Sequence, residues 1–234
     1  MNRKLRLLAL PLLLLLFNHD LFAQHNATII VGVGKTIKEA VPTTDLYEYP
    51  QFMQGTVVYR DGNRSFGSMN YNRFLDEMQF ITAKRDTLTL INEKTIAFIN
   101  IGADTFFYDQ GYIKSVLSTT HVKLGEKQML RIVDKQRIGA YGVASSVESI
   151  DTKNAYNDGV KNYNMTVMQQ LLLAREVQYY LGDTYNHFVL ANKKNVMKFF
   201  SKQQRALESY LKENSVDFTN KQDLEKLFQF LNQL

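Results

Sequence analysis

Apolar and polar residues alternate in short runs, separated by turn residues, through the middle of the chain. Successive side chains of a strand point to opposite faces of a sheet, so this pattern is typical of strands with one buried face. The runs predict strands over residues 55–60, 65–71, 74–82, 86–91, 95–101, 105–108, 112–117, 121–124, 128–133, 171–181 and 185–190. No helical pattern separates most of them, which favours an antiparallel meander over a parallel sheet.

Three of these runs also predict a turn or a pattern of burial. Residues 55–60 and 65–71 flank Asp61-Gly62, a pair that accepts the left-handed backbone angles of a type I′ hairpin turn. In residues 95–101, Ile96 and Phe98 alternate with Ala97, Ile99 and Ile101. Because both sets are apolar, we expect both faces of this strand to be buried.

The last 43 residues change to helical spacing. We expect Asn192 to cap a helix that ends near Phe200, and Ser201-x-x-Gln204 and Thr219-x-x-Gln222 to form capping boxes for two more helices. The final helix carries apolar residues every three to four positions, which predicts a buried face. Its members are Leu224, Leu227, Phe228 and Leu231.

Near the N-terminus the segment ATIIVGVGKT resembles a strand that enters a phosphate-binding loop. That loop requires a glycine five residues before Gly34, where this chain has Ile29. We therefore expect a strand over residues 28–33, a glycine turn and an exposed Lys35, without a nucleotide site. Residues 35–51 contain two prolines and predict a loop or linker.

The first 23 residues predict a cleaved secretory signal. Arg3, Lys4 and Arg6 precede an apolar run over residues 7–17, which is too short to span a membrane, and Ala23 offers a cleavage site before Gln24. No cysteine occurs in the chain, which excludes disulfides, thiolate metal ligands, a cysteine nucleophile and a lipoprotein anchor. We expect an exported protein, periplasmic or outer-membrane-associated, with no transmembrane span in the mature chain.

Taken together, these patterns predict an α+β fold, an antiparallel β-meander that is sandwich-like or a small barrel, followed by C-terminal helices. The predicted units are a signal peptide at 1–23, an N-terminal strand and linker at 24–53, a β-rich domain at 54–191 and a helical segment at 192–234 packed on it. Within the third unit, residues 137–150 give no clear pattern and residues 151–164 predict a loop.

Charge argues against a nucleic-acid partner. The formal net charge is +5, and +3 without the first 23 residues, which carry three basic side chains and one acidic side chain. Nucleic-acid binding needs basic residues clustered on one face. We interpret the Lys193-Lys194 pair as the solvated end of a helix, and expect an envelope protein, if anything, as the partner.

Candidate catalytic and metal-binding groups are few. His25, His121 and His187 show no metal-ligand spacing, and no G-x-S-x-G motif is present, so we expect no metal or cofactor. The acidic groups cluster at Asp76-Glu77 and at Asp104 with Asp109. Adjacent strand residues point to opposite faces, so Asp76 and Glu77 are not expected to share one site. The catalytic residues, if any, stay unknown.

Several segments together resemble uncharacterised exported proteins of the Bacteroidetes. These segments are FGSMNYNRFLDEMQFI, DTLTL, DTFFYDQGYIKSV, RIGAYG and YNHFVLANKKNVMKFF. The resemblance covers roughly residues 54–234 and lies in the order of the segments and in their amino-acid sequences. It implies export and a single architectural unit. That family has no established activity, so no site residues follow from it.

Three functions remain open. The first is a non-enzymatic binding or scaffold protein of the cell envelope. The second is an envelope hydrolase acting on glycans or peptides, which needs two acidic groups joined by a cleft. The third is a carrier of a lipophilic ligand. A sheet face on which Met69, Met78, Phe80 and Phe98 fill a core favours the scaffold, whereas a lined cavity favours the carrier.

Overall fold

The computed structural model describes residues 28–119, 121–138, 144–146, 163 and 166–234. The predicted signal peptide, His25 and, apart from residue 163, the loop predicted over residues 151–164 lie outside the described residues.

Among the described residues, twelve strands form one sheet in which all neighbouring strands are antiparallel. The strands are β1 (Ile29–Val31), β2 (Met53–Tyr59), β3 (Arg64–Asn72), β4 (Glu77–Ile81), β5 (Thr87–Thr89), β6 (Ile96–Ile101), β7 (Asp104–Tyr108), β8 (Tyr112–Ser118), β9 (Lys123–Ile138), β10 (Ala144–Ser146), β11 (Gln170–Gly182) and β12 (Phe188–Leu190). Their order is β1-β11-β9-β8-β7-β6-β2-β3-β4-β5, with β10 on β9 and β12 on β11. The α+β class and the antiparallel meander are confirmed.

The sheet is open, because β1 and β5 lie at opposite ends of the order and do not pair within the described part of the chain. The chain leaves β5 at one end and returns to place β6 beside β2, three strands further in. A 3₁₀ turn, Glu93–Thr95, ends this short connection.

The hairpin β2–β3 forms as expected, but its turn differs from the prediction. The loop is wider than two residues: Tyr59 donates its N–H to the carbonyl of Asn63, at 2.9 Å. Only Gly62 has a positive φ in it, of 87°, and the Asp61 carboxylate accepts two hydrogen bonds from Asn63. The side-chain contacts of Asp61 thus replace the type I′ geometry.

The alternation expected in β6 is broken by a β-bulge. Val58 pairs with Phe98 and Tyr59 with Ile96, so the register shifts by one residue at Ala97. The extra residue turns Ile96 to the same face as Ile99 and Ile101, where all three are buried. The prediction that Ile96 shares a face with Phe98 was therefore wrong.

Residues 123–138 form one long strand, β9, where two short strands were expected. Its partner β11 follows it from residue 170 to residue 182, with one bulge between Leu172 and Leu173. Residues 125–127 lay between the two predicted strands and were expected to form a short turn. In the structure these three residues run through β9.

The loop expected over residues 35–51 contains two short helices, α1 (Ile37–Ala40) and α2 (Thr43–Leu46). Thr36 caps α1 in a capping box with Glu39, so the Gly-Lys-Thr sequence is a glycine turn followed by a helix cap. The strand before it and the exposed Lys35 agree with the prediction.

Three helices end the chain, α3 (Lys193–Phe199), α4 (Gln204–Glu213) and α5 (Lys221–Leu231). Asn192 caps α3 as expected, but both predicted capping boxes are wrong. Residues 201–203 form a 3₁₀ turn, and Asn220 caps α5 in place of Thr219. No helix in the described ranges has the length and apolar character that crossing a membrane would require.

Among the described residues, four packed clusters hold these elements together, three large ones and a small one of Phe107, Ile113 and Phe188 on the opposite face of the sheet from the sheet core. The sheet core lies on β2, β3, β4, β6, β7 and β8, and includes Val57, Met69, Tyr71, Met78, Ile99, Phe106 and Tyr112. The N-terminal core joins β1, α1 and α2 to β9 and β11 through Val31, Ile37, Leu46, Leu75, Leu130 and Leu173. The helical core packs α3, α4 and α5 on Leu124, Tyr179 and Leu181, with Val196, Leu207, Leu224, Leu227 and Leu231.

Candidate functional site

A row of directly paired residues crosses the sheet between the sheet core and the helical core. Phe106 of β7 pairs with Lys114 of β8, Lys114 pairs with Glu126 of β9, and Glu126 pairs with Tyr179 of β11. Paired residues of neighbouring strands project from the same face of a sheet. Two charged side chains therefore lie between the sheet core at Phe106 and the helical core at Tyr179.

Glu48 approaches this row from the N-terminal segment. Its N–H donates to the carbonyl of Tyr71 at 3.0 Å, which fixes the chain beside the end of β3. One carboxylate oxygen accepts from Nε and Nη2 of Arg73, at 3.1 and 2.7 Å, and the other accepts from Nζ of Lys114 at 2.5 Å. Glu48 thus bridges two cations with a side chain that is 7% exposed.

Glu126 extends the bridge to the last helix. One of its carboxylate oxygens lies 3.4 Å from Nζ of Lys114, and the other lies 3.7 Å from Nζ of Lys221, the first residue of α5. We call Glu48, Arg73, Lys114, Glu126 and Lys221 the charge cluster. Its members come from the loop after α2, the loop after β3, and from β8, β9 and α5, so it joins segments that are far apart in the chain.

A second ion pair lies beside the charge cluster. Asp76 has a positive φ of 57° in the turn between β3 and β4, and it accepts from Nζ of Lys127 at 2.5 Å. The Tyr71 hydroxyl donates to the same carboxylate at 2.8 Å. Only 7% of the Lys127 side chain is exposed, so Asp76 supplies the counter-charge that a buried ammonium needs.

The electrostatics keep Lys114 and Tyr71 in their ordinary charge states near neutral pH. Burial alone would lower the pKa of Lys114, but the hydrogen bond and charge of Glu48, helped by the charge of Glu126, raise that pKa above its usual value. Burial, with the nearby charge of Asp76, raises the pKa of the Tyr71 hydroxyl. Lys114 therefore stays a cation and Tyr71 stays a neutral donor.

The space inside this arrangement is small. A gap between Glu48, Tyr71, Lys114, Glu126 and their neighbours leaves about 10 Å³ for the centre of a water molecule. That is about the volume one water needs. Lys114 also occupies the position between the two carboxylates, where a reacting bond would have to lie. The arrangement can bind a water and resist distortion, but it leaves no room for a substrate.

The acidic residues singled out from the sequence do not converge. Asp76 joins Lys127, whereas Glu77 accepts hydrogen bonds from Gln79 and Thr89. Asp104 accepts from the Tyr49 hydroxyl at 2.7 Å, and Asp109 accepts from the Phe188 N–H at 2.6 Å. These contacts tie strands and loops to one another. Asp76 and Glu77 have different partners, as expected, but the reason differs from the prediction, because Asp76 lies in the turn before β4 and only Glu77 belongs to the strand.

The two described histidines lie apart from the charge cluster. His121 and His187 are both exposed, the first in the turn before β9 and the second beside β12. Within the described ranges, no group of three or more His, Asp or Glu side chains is placed so that it could hold a metal ion.

Sequence reasoning missed Glu48, Lys114 and Glu126. A usable signal existed for two of them, because Lys114 follows Tyr112 at strand spacing, and Glu126 follows Leu124 in the same way. A charged residue at a core-facing position of a strand needs a partner. Glu48 gave no such signal, since it lay in a segment expected to be a loop.

A basic groove lies on the outer side of the C-terminal helices. Two open clefts of about 790 and 680 Å³ share Glu208 as a lining residue. Their cationic lining residues are Lys193, Lys194, Lys202, Arg205 and Lys212. All five are exposed, and none has an ion-pair partner in the part of the chain that the structure describes. We call these five residues, with Met197 and Glu208, the basic groove.

The packing of α4 fixes which side chains line this groove. Leu207 is buried in the helical core, and Tyr210 stacks on Phe230 of α5 with ring centroids 4.2 Å apart. Arg205 and Lys212 are seven residues apart, about two helical turns, and therefore project on the same side. That side faces away from the core, which leaves both cations in solvent.

No protein-family model, curated protein or solved structure matches this chain.

Proposed function

We propose that the chain is an exported cell-envelope protein that acts as a non-enzymatic binding or scaffold protein. The observation that carries this proposal is a contrast between two sets of charges. The interior charges of the charge cluster are paired with one another and tie distant segments together, whereas the cations of the basic groove have no ion-pair partner among the described residues. The paired charges of the charge cluster stabilise the fold, and the cations of the basic groove are available to bind a partner.

Export rests on the first 23 residues and on the lack of cysteine. The resemblance to exported Bacteroidetes proteins, over roughly residues 54–234, points in the same direction. A periplasmic or outer-membrane-associated location follows from these two arguments together.

One observation favours the hydrolase alternative. Glu48 and Glu126 both contact Lys114 Nζ, at 2.5 and 3.4 Å, so one oxygen of each carboxylate lies within about 6 Å of the other, which is near the separation of the acidic pair in many glycosidases. The bridging ammonium stands against it, because it neutralises both acids and fills the space between them. If Glu126→Gln abolished a glycan- or peptide-hydrolysing activity of the purified protein without loss of folding, the hydrolase would replace our proposal.

The carrier alternative has less support. Met69 and Met78 are buried in the sheet core, and Phe80 packs partly against it. Phe98 lies on the other face, beside Phe107, Ile113 and Phe188. These four side chains fill packed clusters, as a scaffold requires.

Crosslinking in the native host tests the proposal. The tagged protein would be crosslinked in intact cells, the cells fractionated, and the molecules that travel with it identified by mass spectrometry. A reproducible envelope partner at fixed stoichiometry is the expected result. A protein that stays in the cytosolic fraction, or that crosslinks to nothing in the envelope, would contradict it.

A further inference from the structure

We propose that the basic groove binds an acidic polysaccharide, a linear glycan that carries carboxylate or sulfate groups. This inference rests on the proposed role as a binding protein and names the chemical class of its ligand. It requires neither a protein partner nor a particular compartment.

The charge of the groove selects a polyanion. Five cations and one carboxylate line the two clefts, which share Glu208. Exposed cations gathered on one surface attract anions, and a chain that carries several negative charges can meet more than one of them at once. Four of the five cations are lysines, whose compact ammonium groups suit scattered point charges better than the planar recognition that arginine provides.

The uncharged lining residues favour a glycan over a nucleic acid. Ser201, Gln203 and Gln204 line the first cleft and offer hydroxyl and amide groups that can pair with sugar hydroxyls. No aromatic side chain lines either cleft, although single-stranded nucleic acids are held largely by stacking on aromatic rings. Met197 gives the second cleft an apolar floor on which the face of a sugar ring can pack.

The shape of the groove favours an extended chain. The clefts follow one another past Glu208, from the 3₁₀ turn at Ser201 to the start of α3. Arg205 and Lys212 are separated by about two turns of α4, or roughly 10 Å along its axis. A flat bilayer would meet the rim of such a groove but not its floor, whereas a single glycan strand can reach both.

The test compares two triple variants that remove the same charge. The groove variant is Lys194→Gln, Arg205→Gln and Lys212→Gln. The matched control is Arg64→Gln, Lys84→Gln and Lys94→Gln, which removes two exposed lysines and one exposed arginine from the loops and strands between β2 and β6. Binding of the full protein to heparin and to polygalacturonate would be measured by calorimetry, with double-stranded DNA and neutral dextran as comparison ligands.

We expect the groove variant to raise the Kd for the acidic glycans by about tenfold or more, and the control to change it by less than about twofold. The affinity of the wild type should fall as salt is added, and dextran should not bind. If the two variants lost affinity for the acidic glycans equally, the loss would depend on net charge alone, and the proposal would be wrong. No binding by the wild type, or tighter binding of DNA than of either glycan, would overturn it as well.

Lysine acetylation of the wild-type protein provides a readout that does not depend on how the variants fold. With heparin bound, Lys193, Lys194, Lys202 and Lys212 should react more slowly, whereas Lys84 and Lys94 should react as before. Protection of all surface lysines alike would contradict a site in the groove. If this glycan test failed, an envelope partner found by crosslinking would still support the proposed binding function. The two proposals can therefore be refuted separately.

Discussion

Removal of the Lys114 ammonium tests whether the charge cluster stabilises the fold. Lys114→Met keeps most of the length of the side chain but leaves Glu48 and Glu126 facing each other without the cation between them. Both glutamate side chains are 7% exposed, so solvent screens their repulsion only weakly. Breaking a buried ion pair in this way commonly costs about 3–5 kcal/mol.

Two features of the structure make the expected loss of stability smaller than this general cost. Glu48 keeps Arg73 at 2.7 Å, and Glu126 keeps Lys221 at 3.7 Å, so neither acid is left without a cation. The Lys114 side chain is itself 20% exposed, which lowers the strength of its contacts. We expect Lys114→Met to lower the free energy of unfolding by about 2–3 kcal/mol. For a protein of this size that corresponds to a fall in Tm of about 5–10 °C.

Urea denaturation followed by circular dichroism measures this change. Lys84→Met removes the same charge from an exposed turn and should stay within about 0.5 kcal/mol of the wild type. A deficit below about 0.5 kcal/mol at pH 7 would refute the reasoning.

Two further predictions follow from the described contacts. Burial and the nearby charge of Asp76 raise the pKa of the Tyr71 hydroxyl above its unfolded value of 10.0. Burial lowers the pKa of Lys114, but the hydrogen bond and charge of Glu48 outweigh it and raise that pKa above its unfolded value of 10.5. The contribution of both groups to stability is therefore complete below about pH 10 and is lost as the pH rises further. Urea titrations between pH 8 and pH 11 should show this loss, and an unfolding free energy that rises with pH in that window would contradict it. Gly125→Ala should lower the free energy of unfolding by about 1–3 kcal/mol, because the new Cβ would lie 2.4 Å from Cγ2 of Ile113. Gly67→Ala is the control, since its new Cβ would lie 3.7 Å from the nearest atom. In thermal melts of both variants, Gly67→Ala should lose less stability than Gly125→Ala. Equal effects of the two substitutions would show that close packing at β8 and β9 is not the cause.

Most of the sheet could be predicted from the sequence, because its strands are amphipathic and their turns carry glycine, asparagine or aspartate. The strand predictions were wrong where a local sequence pattern had two physical interpretations. The polar run Gly125–Gln128 is equally compatible with a turn and with a strand whose charges find buried partners. The bulge at Ala97 depends on the register with β2, and no pattern within β6 alone contains that register.

The charge cluster could not be assembled from the sequence for the same reason. Lys114 and Glu126 become neighbours only once β8 and β9 are paired in a particular register, and Lys221 reaches Glu126 only after α5 packs on the sheet. Of the cations in the basic groove, only the Lys193-Lys194 pair was singled out from the sequence, and it was interpreted as a solvated helix end. The convergence of the five cations depends on how α3 and α4 pack, which a 3₁₀ turn between them decides.

Fractionation of native host cells tests the central claim most directly, that the protein acts by binding an envelope component through its basic groove. The wild type, the groove variant and the matched control would be expressed at equal levels and quantified in the envelope and soluble fractions. The account predicts that the wild type and the control stay with the envelope until salt releases them, while the groove variant is soluble. If the groove variant stays with the envelope as firmly as the wild type, the groove is not the binding surface and the claim is wrong.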